Sequence, residues 1–189
     1  MQGLGFFACL TVVGIIIVVA LAVIALYNRL VVLRNRVENA WAQIDVQLKR
    51  RYDLIPNIVE TVKGYASHEK GTLEAVIQAR SAAMNASGVA AQGEAENMLT
   101  GALKSLFALA EAYPDLKANQ NFMQLQEELT NTEGKIAYAR QFFNDAVMSL
   151  NTAVQQFPSN LVAGLFGIKE RTYFEIDAVA AEPVAVSFQ

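Results

Sequence analysis

Few side chains in this sequence are suited to chemistry. His68 is the only histidine, and Cys9, the only cysteine, lies inside an apolar run. A zinc-type centre needs three or four His, Cys or carboxylate ligands. Only an all-carboxylate set therefore remains, with Asp53, Glu60 and Glu133 as candidates. Ser67 precedes His68, but adjacency in sequence does not create a nucleophile–base pair. There is no Gly-rich phosphate loop. The reading is of no catalytic residue, no metal and no cofactor.

Other polar residues have a different promise. Asp53, Asn57, Glu133, Arg140, Asn144 and Asn151 flank apolar stripes on two long predicted helices, and Glu133 and Arg140 share a face two turns apart. Buried polar pairs of this kind can set helix register. The same residues could instead form a docking or oligomer surface. If either role holds, Glu133→Ala should lower thermal stability or alter assembly.

The elements that carry these residues begin with a membrane helix. Hydrophobic residues make up 53% of the 189-residue chain, and no charged residue occurs from Gly3 to Tyr27. As a helix that stretch reaches ~37 Å, more than the ~30 Å hydrocarbon core requires. A cleaved signal peptide would need a basic start, a shorter apolar run and a small-residue cleavage site. Residues 1–5 carry no basic side chain. Arg29, Arg34 and Arg36 follow the run directly and fit the headgroup layer, where contact with anionic lipid is generic. The positive-inside rule then predicts the N-terminus outside and the main domain in the cytoplasm, as a single-pass protein of a bacterial inner or cytoplasmic membrane. The charge of the whole chain is nearly balanced, at net −3, and offers no basic field for nucleic acid.

The helical pattern continues past the span. Leu30, Leu33, Val37, Trp41, Ile44, Leu48, Tyr52, Ile55 and Val59 follow steps of 3, 4 and 4, an 11-residue period that gives a nearly straight stripe. Pro56 cannot donate to the carbonyl of Tyr52, so a kink is expected around 52–56. Ser67 is a candidate N-cap for a second helix running to about Asn85. Residues 86–93 read as a loop, and a third helix covers about 94–112 before Pro114. From Phe122 the apolar steps alternate 3 and 4 for five heptads. Phe122, Leu129, Ile136, Phe143, Leu150 and Phe157 form one layer, and Leu125, Thr132, Ala139, Ala146 and Ala153 the other. This coiled-coil-like seam predicts a helix over about 119–156.

The expected fold class is all-α, with an N-terminal transmembrane helix continuing into an elongated antiparallel bundle of about four helices. The domains are read as 1–27, the membrane helix with its short N-terminus; 28–156, the bundle; and 157–189, an extended C-terminal tail. Two long helices pair, and two short ones cover only the half far from the membrane. The membrane-proximal half must bury its seam on the tail, another copy or a partner. The tail, with Tyr173, Phe174 and Ile176 and then Val184, Val186 and Phe188 in alternation, is too aromatic for a disordered linker and is expected to pack near that half.

The stretch Tyr52-Asp53-Leu54-Ile55-Pro56-Asn57-Ile58-Val59-Glu60-Thr61-Val62-Lys63-Gly64-Tyr65 carries a resemblance to the LemA family of bacterial membrane proteins. Ala66 to Glu69, Leu125 to Leu129, Thr132-Glu133, Ile136-Ala137, Ala139-Arg140, Phe143-Asn144, Leu150-Asn151 and Phe157-Pro158 with Asn160 extend it across the chain. Phe143 departs from it, since relatives often carry Tyr there. The resemblance implies one membrane helix and an antiparallel bundle, and its gene neighbourhoods imply a scaffold or adaptor. The favoured function is a non-enzymatic, self-associating scaffold organising proteins or membrane, with the lipid bilayer and further copies as partners. The alternative is an adaptor or regulator of a membrane protease or an envelope-stress pathway.

Overall fold

The computed structural model describes residues 2–175, with side chains from Leu10 onward. The expected contributions of Ile176, Val184, Val186 and Phe188, and of the Cys9 side chain, lie outside the described residues. All regular structure among the described residues is helical: α1 (Gln2–Tyr65), α2 (Lys70–Asn85), α3 (Val89–Ala110), α4 (Pro114–Lys117), α5 (Gln120–Gln155) and α6 (Ser159–Leu165). The span and the stripe that follows it are one continuous helix. Pro56 lies inside α1 without ending it.

Several boundaries differ from the sequence reading. Helix α2 starts at Lys70 with no side-chain cap, so Ser67 does not cap it. The loop expected over 86–93 shrinks to 86–88, because Gly88 alone supplies the turn, at φ +87°. Such a backbone favours glycine, which has no Cβ to clash. Pro114 opens α4 at its first turn, where a missing N–H costs nothing. Asn119 caps α5: its Oδ1 accepts from the Phe122 N–H at 3.0 Å.

The described chain forms two compact units. The first comprises 2–40 of α1 with Asp145–Arg171. From Leu10 to Leu21 the large apolar residues of α1 are exposed, and this helix is long and apolar enough to cross a membrane. Beyond it the α1 stripe turns inward: Leu30 and Val37 are buried, as are Val147, Leu150 and Ala153 of α5. The expected non-helical tail contains α6, whose Val162 and Ala163 are buried. Seven residues after a proline break are too few to show a helical period in sequence. Ile168, also buried, follows the helix and donates its N–H back to the Ala163 carbonyl at 2.9 Å. Phe157, expected in the α5 seam, is 79% exposed because α5 ends at Gln155.

The second unit comprises Trp41–Asn144 and the described start of Thr172–Gln189. Here α1 and α5 run antiparallel: Asn119 Nδ2, at the start of α5, donates to the Tyr65 hydroxyl oxygen at 2.9 Å, Arg50 pairs with Glu128 at 2.6 Å, and the Trp41 and Phe143 rings lie 5.4 Å apart. Helices α2 and α3 form a packed hairpin. In this unit α1 is buried on more than its stripe: Leu54, Ile58 and Val62 are buried beside Ile55 and Val59. Ile44, Ile55, Ile58, Leu99, Leu106 and Leu116 are all fully inaccessible, and burial of such a side chain stabilises by roughly 1.5–3 kcal/mol.

Candidate functional site

The densest polar arrangement lies inside the second unit, around Arg51. Its side chain is only 2% exposed, although it sits next to the apolar stripe rather than on it. Nη1 donates to Glu96 Oε2 at 2.5 Å and Nη2 to Thr100 Oγ1 at 2.8 Å, both on α3. Nε lies 2.8 Å from Glu133 Oε1 on α5. That contact lacks hydrogen-bond alignment, so it is ionic. One guanidinium therefore ties α1 to both α3 and α5. Arginine suits this task because its planar fork offers five donors in fixed directions.

Glu96 is the second centre. Besides Arg51 it accepts a short hydrogen bond from the Tyr52 hydroxyl and another from Gln92 Nε2 at 3.0 Å. Gln92 also donates to the Tyr52 oxygen at 2.9 Å and to the Ala83 carbonyl at 3.1 Å, which binds the α2–α3 hairpin to the same cluster. Burial, reinforced by the Glu96 hydrogen bond and charge, pushes the Tyr52 phenol well above its usual range. Tyr52 thus stays a proton donor to Glu96.

Glu133 and Arg140 both belong to this arrangement. Burial raises the Glu133 pKa; the Arg51 charge opposes that rise, Glu96 adds to it, and Arg140 opposes it. Burial lowers Arg140 to about 10, against the pull of Glu96 and Glu133. Arg140 remains a cation at neutral pH and lies 4.4 Å from the Phe174 ring centroid. Two arginines and two glutamates share one region, so its formal charge cancels.

Asn144 and Asn151 hold the tail, one in each unit. In the second, the Phe174 N–H donates to Asn144 Oδ1 at 2.9 Å and Asn144 Nδ2 donates to the Phe174 carbonyl at 3.2 Å. In the first, Asn151 makes the same exchange with Arg171, at 2.8 and 2.9 Å. Each amide acts as a neighbouring strand would. Asp53 and Asn57 are exposed and fix no register within the chain. Arg29, Arg34 and Arg36 are exposed on α1 beyond the span.

Pro56 has a partner of its own. Its ring nitrogen cannot donate to the Tyr52 carbonyl, and Arg80 Nε of α2 takes that place at 2.8 Å. Sequence reading missed Arg51, Tyr52, Gln92, Glu96 and Arg80 as members of a polar system. One signal was present: Gln92, Glu96, Leu99, Leu103 and Leu106 follow steps of 4, 3, 4 and 3, a stripe whose first two members are polar.

Chemically, the arrangement positions helices. Its inner side chains engage one another or the backbone, and within the cluster only the buried Nε atoms of Arg51 and Arg140 lack a hydrogen-bond partner. Among the described residues no group of three His, Cys, Asp or Glu side chains is placed to hold a metal ion.

Comparison with known proteins points in one direction. The model of the LemA family matches residues 40–188. A protein named Protein LemA from Metamycoplasma hominis is 27% identical over 165 residues, covering 85% of this chain and 74% of that one. Magnetosome protein MamQ 2 of Paramagnetospirillum magneticum is 22% identical over 210 residues, covering 96% and 77%. Magnetosome protein MamQ of Magnetospirillum gryphiswaldense is 24% identical over 184 residues, covering 84% and 68%.

Proposed function

Since this chain belongs to the LemA family, a family of membrane-associated helical proteins, we propose that it is a non-catalytic scaffold that associates with further copies of itself at the bacterial cytoplasmic membrane. The observation that carries the reading is an apolar groove on the second unit, about 580 Å³ in volume, whose walls include Val46, Gln47, Lys135, Tyr138 and Phe142. Tyr138 is 81% exposed, Val46 63% and Phe142 52%. Ala42 and Ala139 also line it, and small residues allow a second backbone to come close. A self-complementary patch of ridge and groove suits a two-fold contact, in which each copy offers Tyr138 and receives its partner's.

The single-pass arrangement, with the N-terminus outside and the residues after the span on the cytoplasmic side, rests on Arg29, Arg34 and Arg36 following a charge-free run. The engagement of the Arg51 cluster supports a non-catalytic role, since its groups are occupied with one another. Relatives named as magnetosome proteins support work within a larger assembly.

The test is the mass of full-length protein extracted in native-like lipid particles, alone and as Tyr138→Glu with Phe142→Glu. Both positions are exposed, so folding is preserved. The expected result is a homogeneous multi-copy assembly that the double variant reduces to single copies. Single copies in the unaltered protein overturn the reading. Single copies carrying a second protein at fixed stoichiometry replace it with an adaptor, as for a membrane protease.

A further inference from the structure

We infer that α6 and the two phenylalanines beside it form a second, non-spanning membrane contact, lying in the interfacial layer of the bilayer that α1 crosses. The contact rests on the reading of α1 as a membrane span and concerns the first unit alone.

Helix α6 has two unlike faces. Ser159, Val162 and Ala163 are buried. Leu161 and Leu165, one turn apart on the other side, are 63% and 75% exposed. Phe157 before the helix is 79% exposed and Phe166 after it 50%. Four large apolar side chains in ten residues are thus turned away from the chain. Isolated exposed apolar residues are ordinary, but a contiguous group marks a surface that is covered in use.

The position of this group identifies its cover. The Phe166 ring packs on Tyr27, with centroids 4.5 Å apart. Tyr27 closes the charge-free apolar run, and Arg29 is the first charge after it. The end of α6 is therefore pinned at the level where α1 leaves the hydrocarbon. Aromatic residues concentrate at that level because their rings are apolar and tolerate the headgroup region.

The charge pattern agrees. From Ala146 to Ile168 no side chain is charged, and Lys169, Glu170 and Arg171 follow. The chain thus has a second charge-free stretch, and it ends at a basic residue as the span does. This stretch includes α6, which is too short to cross a bilayer but suited to lie in its surface.

The experiment places one nitroxide at a time on full-length protein carrying Cys9→Ala, in lipid particles of phosphatidylethanolamine and phosphatidylglycerol. The label sites are Leu161→Cys, Leu165→Cys, Ile16→Cys within the span and Met84→Cys on α2. Collision with oxygen, which concentrates in lipid, is compared with collision with a water-soluble nickel chelate. The expected result is an oxygen preference at 161 and 165, weaker than at 16 and opposite to that at 84. Nickel preference at 161 and 165, with oxygen preference kept at 16, overturns the inference and leaves the span intact. Low collision with both reagents at 161 and 165 shows a protein cover and also overturns it. Nickel preference at 16 removes the span and the inference together.

Discussion

Arg51 is the residue on which the second unit converges, because Glu96, Thr100 and Glu133 all receive its guanidinium. Removing one partner of a buried ion pair strands the other charge, typically at about 3–5 kcal/mol. Glu96→Ala should therefore cost on that order, and Glu133→Ala less, since Glu133 is 38% exposed. Equilibrium urea melts would show the ranking, and equal losses would contradict Glu96 as the deeper partner. Glu133 also makes stability depend on pH. Burial raises its folded pKa, so the folded chain holds that proton more tightly than the unfolded one. The stability tied to it is present below the ordinary glutamate range and is lost as pH rises through the folded pKa. Relative to Glu133→Gln, the unaltered protein should lose stability as pH rises from the ordinary glutamate range, about pH 4, through the raised folded pKa. A difference that stays flat or rises would refute the burial. Glu133 and Arg140 could be marked from sequence because they flank an unbroken heptad. Arg51 could not, since its neighbour Tyr52 occupies the stripe, and Arg51 becomes interior only where a third helix covers that side of α1.

Among the elements, α1 shows how a helix survives an internal proline. The missing bond to the Tyr52 carbonyl is replaced from outside by Arg80, so α2 repairs α1. Arg80→Ala should cost about 1–2 kcal/mol, the penalty of an unsatisfied buried carbonyl. In a Pro56→Ala background the helix supplies its own donor, and the same substitution should cost measurably less. A double-mutant cycle reads the coupling directly; additive losses would show that the two residues act independently. The long elements were legible because periodicity accumulates over many turns, as in α5. The start of α3 was hidden by its Ala- and Gly-rich opening, where composition resembles a loop. Helix α6 was hidden by its length.

For the whole molecule, all-α class, family and apolar leading helix were all readable from the stripe spacing and the Tyr52–Tyr65 stretch. The Arg51 cluster was not, because it depends on which helices enclose it. The proposed self-contact is apolar, with Lys135 as the one charged residue of its groove lining. Assembly mass should hold when salt rises from about 0.1 M to about 1 M, a change that cuts the screening length from about 10 to about 3 Å. Dissociation at high salt would mean that charges, not the groove, join the copies. The tail has a further consequence. Phe174 gives both its backbone groups to the single side chain of Asn144, while the neighbouring Glu175 carbonyl runs close over Gly93, 3.1 Å from where a Cβ would stand. The Phe174 amide hydrogen is then a clock for the tail alone. It exchanges with solvent whenever one asparagine lets go, whereas the amide of fully buried Leu99 must wait for the helices themselves to open.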